Sequence, residues 1–176
     1  PRMELDQLTA ISPVDGRYRK QVAFLEAYFS EYALMRYRVR IEIEYFIFLA
    51  DKKFFDLPAK ARNHLKKVAE SFGIEDARKI KQIEAVTNHD VKAVEYYLKD
   101  QLEACGAHDT REWVHFGLTS QDVNNTAIPL SWKECIEQEY LPSVINLSSH
   151  LHELAVQWKR VPMLAKTHGQ PASPTV

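Results

Sequence analysis

A chain of 176 residues with 23 basic and 24 acidic side chains, net charge −1, has no electrostatic surplus for holding nucleic acid or an anionic membrane non-specifically. Hydrophobic residues at 45% and charged residues at 27% exclude an intrinsically disordered chain and a small disulfide scaffold. A single folded domain of this size buries roughly 70% of its unfolded surface, so a sizeable core is expected.

The apolar spacing is helical almost throughout. Leu34, Tyr37, Ile41, Tyr45 and Phe48 recur at steps of three and four behind Ser30, a good cap, and predict an amphipathic helix over residues 30–50. Its apolar run IEIEYFIFLA is interrupted by Glu42, Glu44 and Asp51, well short of the ~20 residues that cross a bilayer. The RYRVR stretch at 36–40 reads as solvated charge on the polar side of that helix. Pro58 suits a first helical position and Gly73 an ending, which predicts a second helix between them; residues 75–86 form a third. A fourth begins near Asp90, carries Val91, Val94 and Leu98 on one face and closes at Gly106. DTREWVHFG adds a turn or two. From Ser120, apolar positions run through Ile128, Trp132, Ile136 and Tyr140, with Pro129 and Pro142 expected to kink or divide the stretch. Leu147, Leu151, Leu154 and Trp158 give a last stripe.

With no alternating strand pattern visible, the expected fold class is all-α, divided into an amino-terminal helical domain, 1–110, and the start of a helical bundle, 111–176. The late apolar stripes want neighbours that the chain does not supply, so self-association or further chain is expected. PRMELDQLTA lacks the basic-then-apolar pattern of a secretion signal, and the expected location is cytoplasmic. Cys105 and Cys135 read as isolated thiols.

Four polar clusters interrupt the helices. SPVDGRY (12–18) sets Arg17 after a glycine, where a guanidinium fork suits a phosphate or carboxylate. TNHD (87–90) puts Asn88, a titratable His89 and helix-start amides in one place; a plain cap with a surface histidine is the alternative. HFGLTSQDVNN (115–125) offers Thr119 and Ser120 at the mouth of a long helix, a seat for a carboxylate, although capping explains Ser120 equally well, and His115 reads as packed or exposed rather than catalytic. THGQPASP (167–174) sets His168 just before a permissive Gly169 in a loop stiffened by Pro171 and Pro174, as a proton donor or acceptor needs, or as a structural turn would. His150 and His152, two apart on a helix, share no face and bind no metal; no Gly-rich phosphate loop, GxSxG or Cys/His spacing occurs.

Taken in order, LTAISPVDGRY, TNHDVKAVEYYLK, HFGLTSQDVNN and KTHGQPASP resemble the amino-terminal signatures of the adenylosuccinate lyases, a family within the fumarase/aspartase superfamily. The resemblance covers essentially the whole chain. It implies β-elimination of fumarate from adenylosuccinate and from the succinylated aminoimidazole carboxamide ribotide, without metal or organic cofactor, in a homotetramer. Carried over by position, Arg17 and Tyr18 would hold the nucleotide phosphate, and Asn88, His89 and Asp90 would orient the base and succinyl portion, with His89 joining the catalytic set. Thr119, Ser120 and Thr167 would hold a succinyl carboxylate, and His168 would protonate the departing nitrogen. The family's GSSxMPxKxNP loop with its proton-abstracting serine does not occur in these 176 residues, so the chain is expected to be a fragment inactive by itself. A sister lyase acting on argininosuccinate, or a non-catalytic helical oligomerisation module, are the competing readings.

Overall fold

The computed structural model describes Leu8 and residues 10–175, the side chains of residues 173 and 175 excepted. The reading of the extreme amino terminus therefore lies outside the described residues. The chain divides into two compact units, one ending at Glu134 and one beginning at Cys135.

The first unit opens with two short helices, α1 (Arg19–Val22) and α2 (Glu26–Phe29), joined by a 3-10 turn. α3 (Glu31–Asp51) starts where predicted: the Ser30 hydroxyl oxygen accepts the Ala33 amide at 3.1 Å, satisfying a donor that the helix itself leaves unpaired. α4 (Ala59–Glu70), α5 (Ile74–Thr87) and α6 (Asp90–Ala104) follow, then a 3-10 segment (His108–Trp113) and α7 (Ser120–Cys135). Two punctuation residues act differently from expectation. Pro58 is the cap of α4, not its first residue, and Gly73 does not end α4 but caps α5, its amide donating to the Asp76 carboxylate at 3.1 Å. Gly106 does close α6. At φ +83° it allows its own amide to reach Glu103 O and the next, Ala107, to reach Leu102 O, the pair of bonds of a Schellman end.

α3 is buried on more than the one face its apolar spacing predicted. Met35, Val39, Ile43 and Phe46 pack with Leu65 of α4, Ile80 of α5 and Val94, Leu98 and Leu102 of α6. On another side Ala33 and Tyr37 meet Ala127, with Ile41 and Leu130 alongside. The predicted stripe ending at Phe48 belongs to this second side, and Phe48 itself is half exposed. A helix sandwiched between two layers loses the single-faced pattern that marks an amphipathic surface helix.

In the second unit a π-helical turn (Ile136–Tyr140) precedes α8 (Leu141–Trp158). The Leu141 amide reaches back five residues to Ile136 O, a register change one residue before Pro142, which has no amide to give. The predicted division thus falls at Pro142, whereas α7 continues through Pro129. Leu147, Leu151 and Trp158 of α8 are exposed. An antiparallel hairpin follows, β1 (Met163–Thr167) and β2 (Gln170–Thr175), where only a stiff loop was expected. Both strands are edges, so Pro171 and Pro174 are tolerated and the alternation that betrays a half-buried strand is missing. The class remains all-α with this small addition. No helix among the described residues is long and apolar enough to cross a membrane.

Candidate active site

α5 and α6 are joined by a tight reversal at TNHD. Asn88 takes a left-handed conformation, φ 52°, which Asn adopts more readily than most side chains, and its amide donates to Glu84 O at 2.8 Å. That turn drops His89 into extended backbone as the cap of α6, where its Nδ1 accepts the Lys92 amide at 3.1 Å. A lone pair is needed at Nδ1 for this bond, so the ring proton sits on Nε2 and the 3.7 Å approach of Nδ1 to Asp90 is not an ion pair of a protonated imidazole. Half exposed, His89 presents Nε2–H as a donor.

Asp90 faces the other way. Its Oδ1 accepts the Val91 amide at 2.8 Å and its Oδ2 meets Nη2 of Arg38 at 2.7 Å. Burial pushes the Asp90 carboxyl up, but the Val91 amide and the Arg38 guanidinium outweigh it and hold the group below its ordinary value.

Arg38 corrects the reading of RYRVR as solvated charge. Arg36 and Arg40 do lie on the outer side, Arg36 donating to Ala27 O at 2.8 Å and Arg40 pairing with Glu44 at 2.8 Å and Glu134 at 2.7 Å. Two residues from each, and so on the opposite side of the helix, Arg38 is only 7% exposed, and its Nε donates to Asn124 Oδ1 at 2.9 Å.

One turn further along α3, Glu42 is 0% exposed and its Oε1 lies 2.5 Å from His115 Nδ1. His115, at φ 61°, is packed rather than surface-exposed. Glu42 Oε2 has no hydrogen-bond partner among the described residues. Burial raises the Glu42 carboxyl above its ordinary 4.5; His115 draws it down without cancelling this, and the Glu95 carboxylate adds to the rise. Glu95 is itself buried but held low by Lys92 and Lys99 at 2.8 and 3.1 Å. An acid raised in the folded state keeps its proton where the unfolded chain has lost it, so it subtracts stability as pH climbs from the unfolded value through the folded one. Glu42→Gln is therefore expected to gain on the parent chain as pH rises above the ordinary carboxyl value of 4.5. Urea unfolding of both proteins across that range measures it, and a difference that does not change with pH would contradict the assignment.

At the start of α7 the two hydroxyls divide. Thr119 precedes the helix, and both its amide and its hydroxyl donate to Asp122 Oδ2 at 2.7 Å; these two bonds hold the Asp122 carboxyl low. Ser120 is the first helical residue, and among the described residues its hydroxyl has no partner. Asp122, not Ser120, completes the cap; the Asp122 and Val123 amides donate to Thr119 O at 3.1 and 3.5 Å, which leaves the Ser120 hydroxyl and the amides of Ser120 and Gln121 as the donors without a described partner.

Arg17 lies 5.4 Å over the Tyr18 ring, in a turn closed by Gly16 N to Ser12 O at 3.0 Å and Tyr18 N to Pro13 O at 2.9 Å. Among the described hydrogen bonds and ion pairs, none joins these two side chains to Asp90, Thr119 or Ser120. Within the second unit, Thr167 pairs with Gln170 across the hairpin and His168 occupies its tip at φ 52°, followed by Gly169 at φ 77°. Two successive positive φ values are those of a type I′ turn, the connection whose twist suits two antiparallel strands. The structure thus brings TNHD and TSQDVNN together through Arg38, and Thr167 next to His168. Arg38, Glu42 and Asn124 were not singled out from the sequence; the available signal was a pair of charges, at 38 and 42, in phase with Met35, Phe46 and Leu49 on the core side of α3.

A mainly helical chain with the TNHD and TSQDVNN clusters at helix starts joined by a buried arginine matches the profile described as Lyase over residues 16–176, and the chain belongs to that family. Within it, the chain is 51% identical over 181 residues to the adenylosuccinate lyase of Dictyostelium discoideum. It is 44% identical over 178 residues to that of Escherichia coli K12 and 43% over 178 to that of Vibrio cholerae. Each alignment covers 98% of this chain, and the chain spans 39% of the length of these relatives.

Proposed function

We propose that this chain forms the amino-terminal part of the catalytic machinery of an adenylosuccinate lyase. What supports the reading above all is the 51% identity over 98% of the chain to an adenylosuccinate lyase. The reaction removes a proton from the carbon next to a succinyl carboxylate. It passes through a carbanion stabilised by that carboxylate, breaks the C–N bond to release fumarate, and returns a proton to nitrogen. The substrates are adenylosuccinate and the succinylated aminoimidazole carboxamide ribotide, which places the protein in cytoplasmic purine biosynthesis.

The residues divide by the chemistry each offers. Arg17 carries a permanent charge on an exposed turn and, with Tyr18, binds the phosphate. Asn88 and the Nε2–H of His89 are exposed donors for the base and succinyl group, while Asp90 is committed to Arg38 and fixes the helix start beneath them. The Ser120 hydroxyl and the amides of Ser120 and Gln121 take a carboxylate; Thr119, bound to Asp122, holds that turn in shape; Thr167 assists from beside His168. His168 is the general acid. The exposed α8 face, with Leu147, Leu151 and Trp158, is the surface on which a helical homotetramer assembles.

Purified full-length protein is expected to convert adenylosuccinate to AMP and fumarate and to ignore argininosuccinate, while the 176-residue chain alone shows no turnover above a His168→Ala control. Absorbance loss with fumarate quantified at the endpoint measures both. Turnover of argininosuccinate, or of neither compound, by the full-length protein would overturn the reading.

A further inference from the structure

We infer that Arg38 is a positioning residue: it locks the starts of α6 and α7 to a single guanidinium, so that the two polar clusters at those helix ends hold a fixed spacing. The inference deepens the reading of these clusters as a lyase site and rests on it for its kinetic arm.

Arg38 rises from the middle of α3, and its fork divides between two helices. Nη2 reaches Asp90 Oδ2 at 2.7 Å on the first residue of α6, and Nε reaches Asn124 Oδ1 at 2.9 Å on the second turn of α7. Its side chain is 8% exposed while that of Asp90 is 49% exposed, so the pair runs from the interior outward to the helix start. Asp90 is at the same time bonded to the Val91 amide, so moving the carboxylate moves the first turn of α6. The side-chain caps at these helix starts are local: His89 to Lys92 for α6, Thr119 to Asp122 for α7. Local caps set each end and say nothing about the distance between ends. Two N–H groups on one rigid guanidinium plane do fix that distance, and a lysine, which brings a single ammonium on a flexible stem, reproduces the charge without the fork.

The charge is also compensated where it lies. Asp90 supplies the negative partner and Asn124 a neutral acceptor, whereas the neighbouring buried acid, Glu42, is turned to His115. Arg38 therefore has both its described polar contacts on the two cluster-bearing helices.

The test has two arms. In the 176-residue chain, hydrogen exchange is compared for the parent, Arg38→Met and Arg38→Lys. Loss of protection at the first turns of both α6 and α7 in Arg38→Met, with Arg38→Lys falling between, is expected; loss at one helix only, or an even loss over the whole first unit, would overturn the inference. In the full-length protein, Arg38→Met is expected to lower kcat per folded site by about 10- to 100-fold with a smaller change in KM, since misplacement of about 1 Å costs that much. Arg38→Lys should restore thermal stability more fully than kcat. An unchanged kcat per folded site in Arg38→Met also overturns the inference. Should the unsubstituted full-length protein release no fumarate, the lyase reading fails on its own, and the exchange arm still decides whether Arg38 couples the two helices.

Discussion

Full-length protein carrying His168→Asn is expected to release fumarate 10²- to 10⁴-fold more slowly than the parent, with its folding stability nearly unchanged. The substitution is chosen from the backbone. His168 sits at φ 52° and Gly169 at φ 77°, so the tip of the hairpin demands a residue that tolerates the left-handed region. Asn tolerates it best among residues with a side chain, and it keeps a polar group while removing the group able to exchange a proton near neutral pH. The hairpin is held by the Thr167–Gln170 and Lys166–Pro171 pairings, not by the imidazole, which is exposed. A loss of rate therefore reports chemistry. His168→Ala should lose at least as much rate and some hairpin order besides, because alanine pays for the positive φ without the local hydrogen bonding that helps Asn. Steady-state kcat for adenylosuccinate, set beside thermal unfolding of each variant, separates the two effects. Full activity in His168→Asn would remove the proposed general acid.

What could be read ahead of the structure followed from periodicity and end signals. Ser30, Asp90 and Gly106 each stand where helix ends need an oxygen acceptor, a negative charge or a positive φ, and each does that work. Gly73 misled because a glycine between two helices suits the end of one and the start of the next; Asp76, three residues on, decides for the start. The hairpin was hidden because two prolines in a two-stranded ribbon without a buried face leave neither alternation nor β-branched runs. In the candidate site, exposed residues on short polar motifs were legible from their chemistry. Arg38 and Glu42 were not, since a charge in a charged run looks solvated until the neighbouring helices are placed. Their phase with Met35 and Phe46 marks the side they occupy, but only the arrival of Asp90, Asn124 and His115 from distant sequence shows why burial there is sustainable.

Phe46→Ala should destabilise the chain by about 3–5 kcal/mol, a large part of the ~5–15 kcal/mol that holds an ordinary domain together. Phe46 is 2% exposed, and its ring lies 4.8 Å from that of Phe55 with the planes tilted by 47°, so truncation removes buried area, an aromatic contact and the filling of a closed site at once. Phe48, two residues on and 50% exposed, touches the Tyr45 ring at 6.4 Å and the Lys52 ammonium at 5.4 Å but leaves no closed cavity when cut back; Phe48→Ala should cost on the order of 1 kcal/mol or less. The comparison isolates the face of α3 from its composition, since the two substitutions are chemically the same. It also reaches the site. Phe46 stands one turn beyond Glu42 and two beyond Arg38 on the same side of the helix, so a cavity there loosens the rail from which both charged side chains project. Urea unfolding followed by far-ultraviolet circular dichroism gives the two values. A larger loss for Phe48→Ala than for Phe46→Ala would mean that α3 is buried on the side of Tyr37, Ile41 and Phe48 instead, and Arg38 would then have no interior from which to reach α6 and α7.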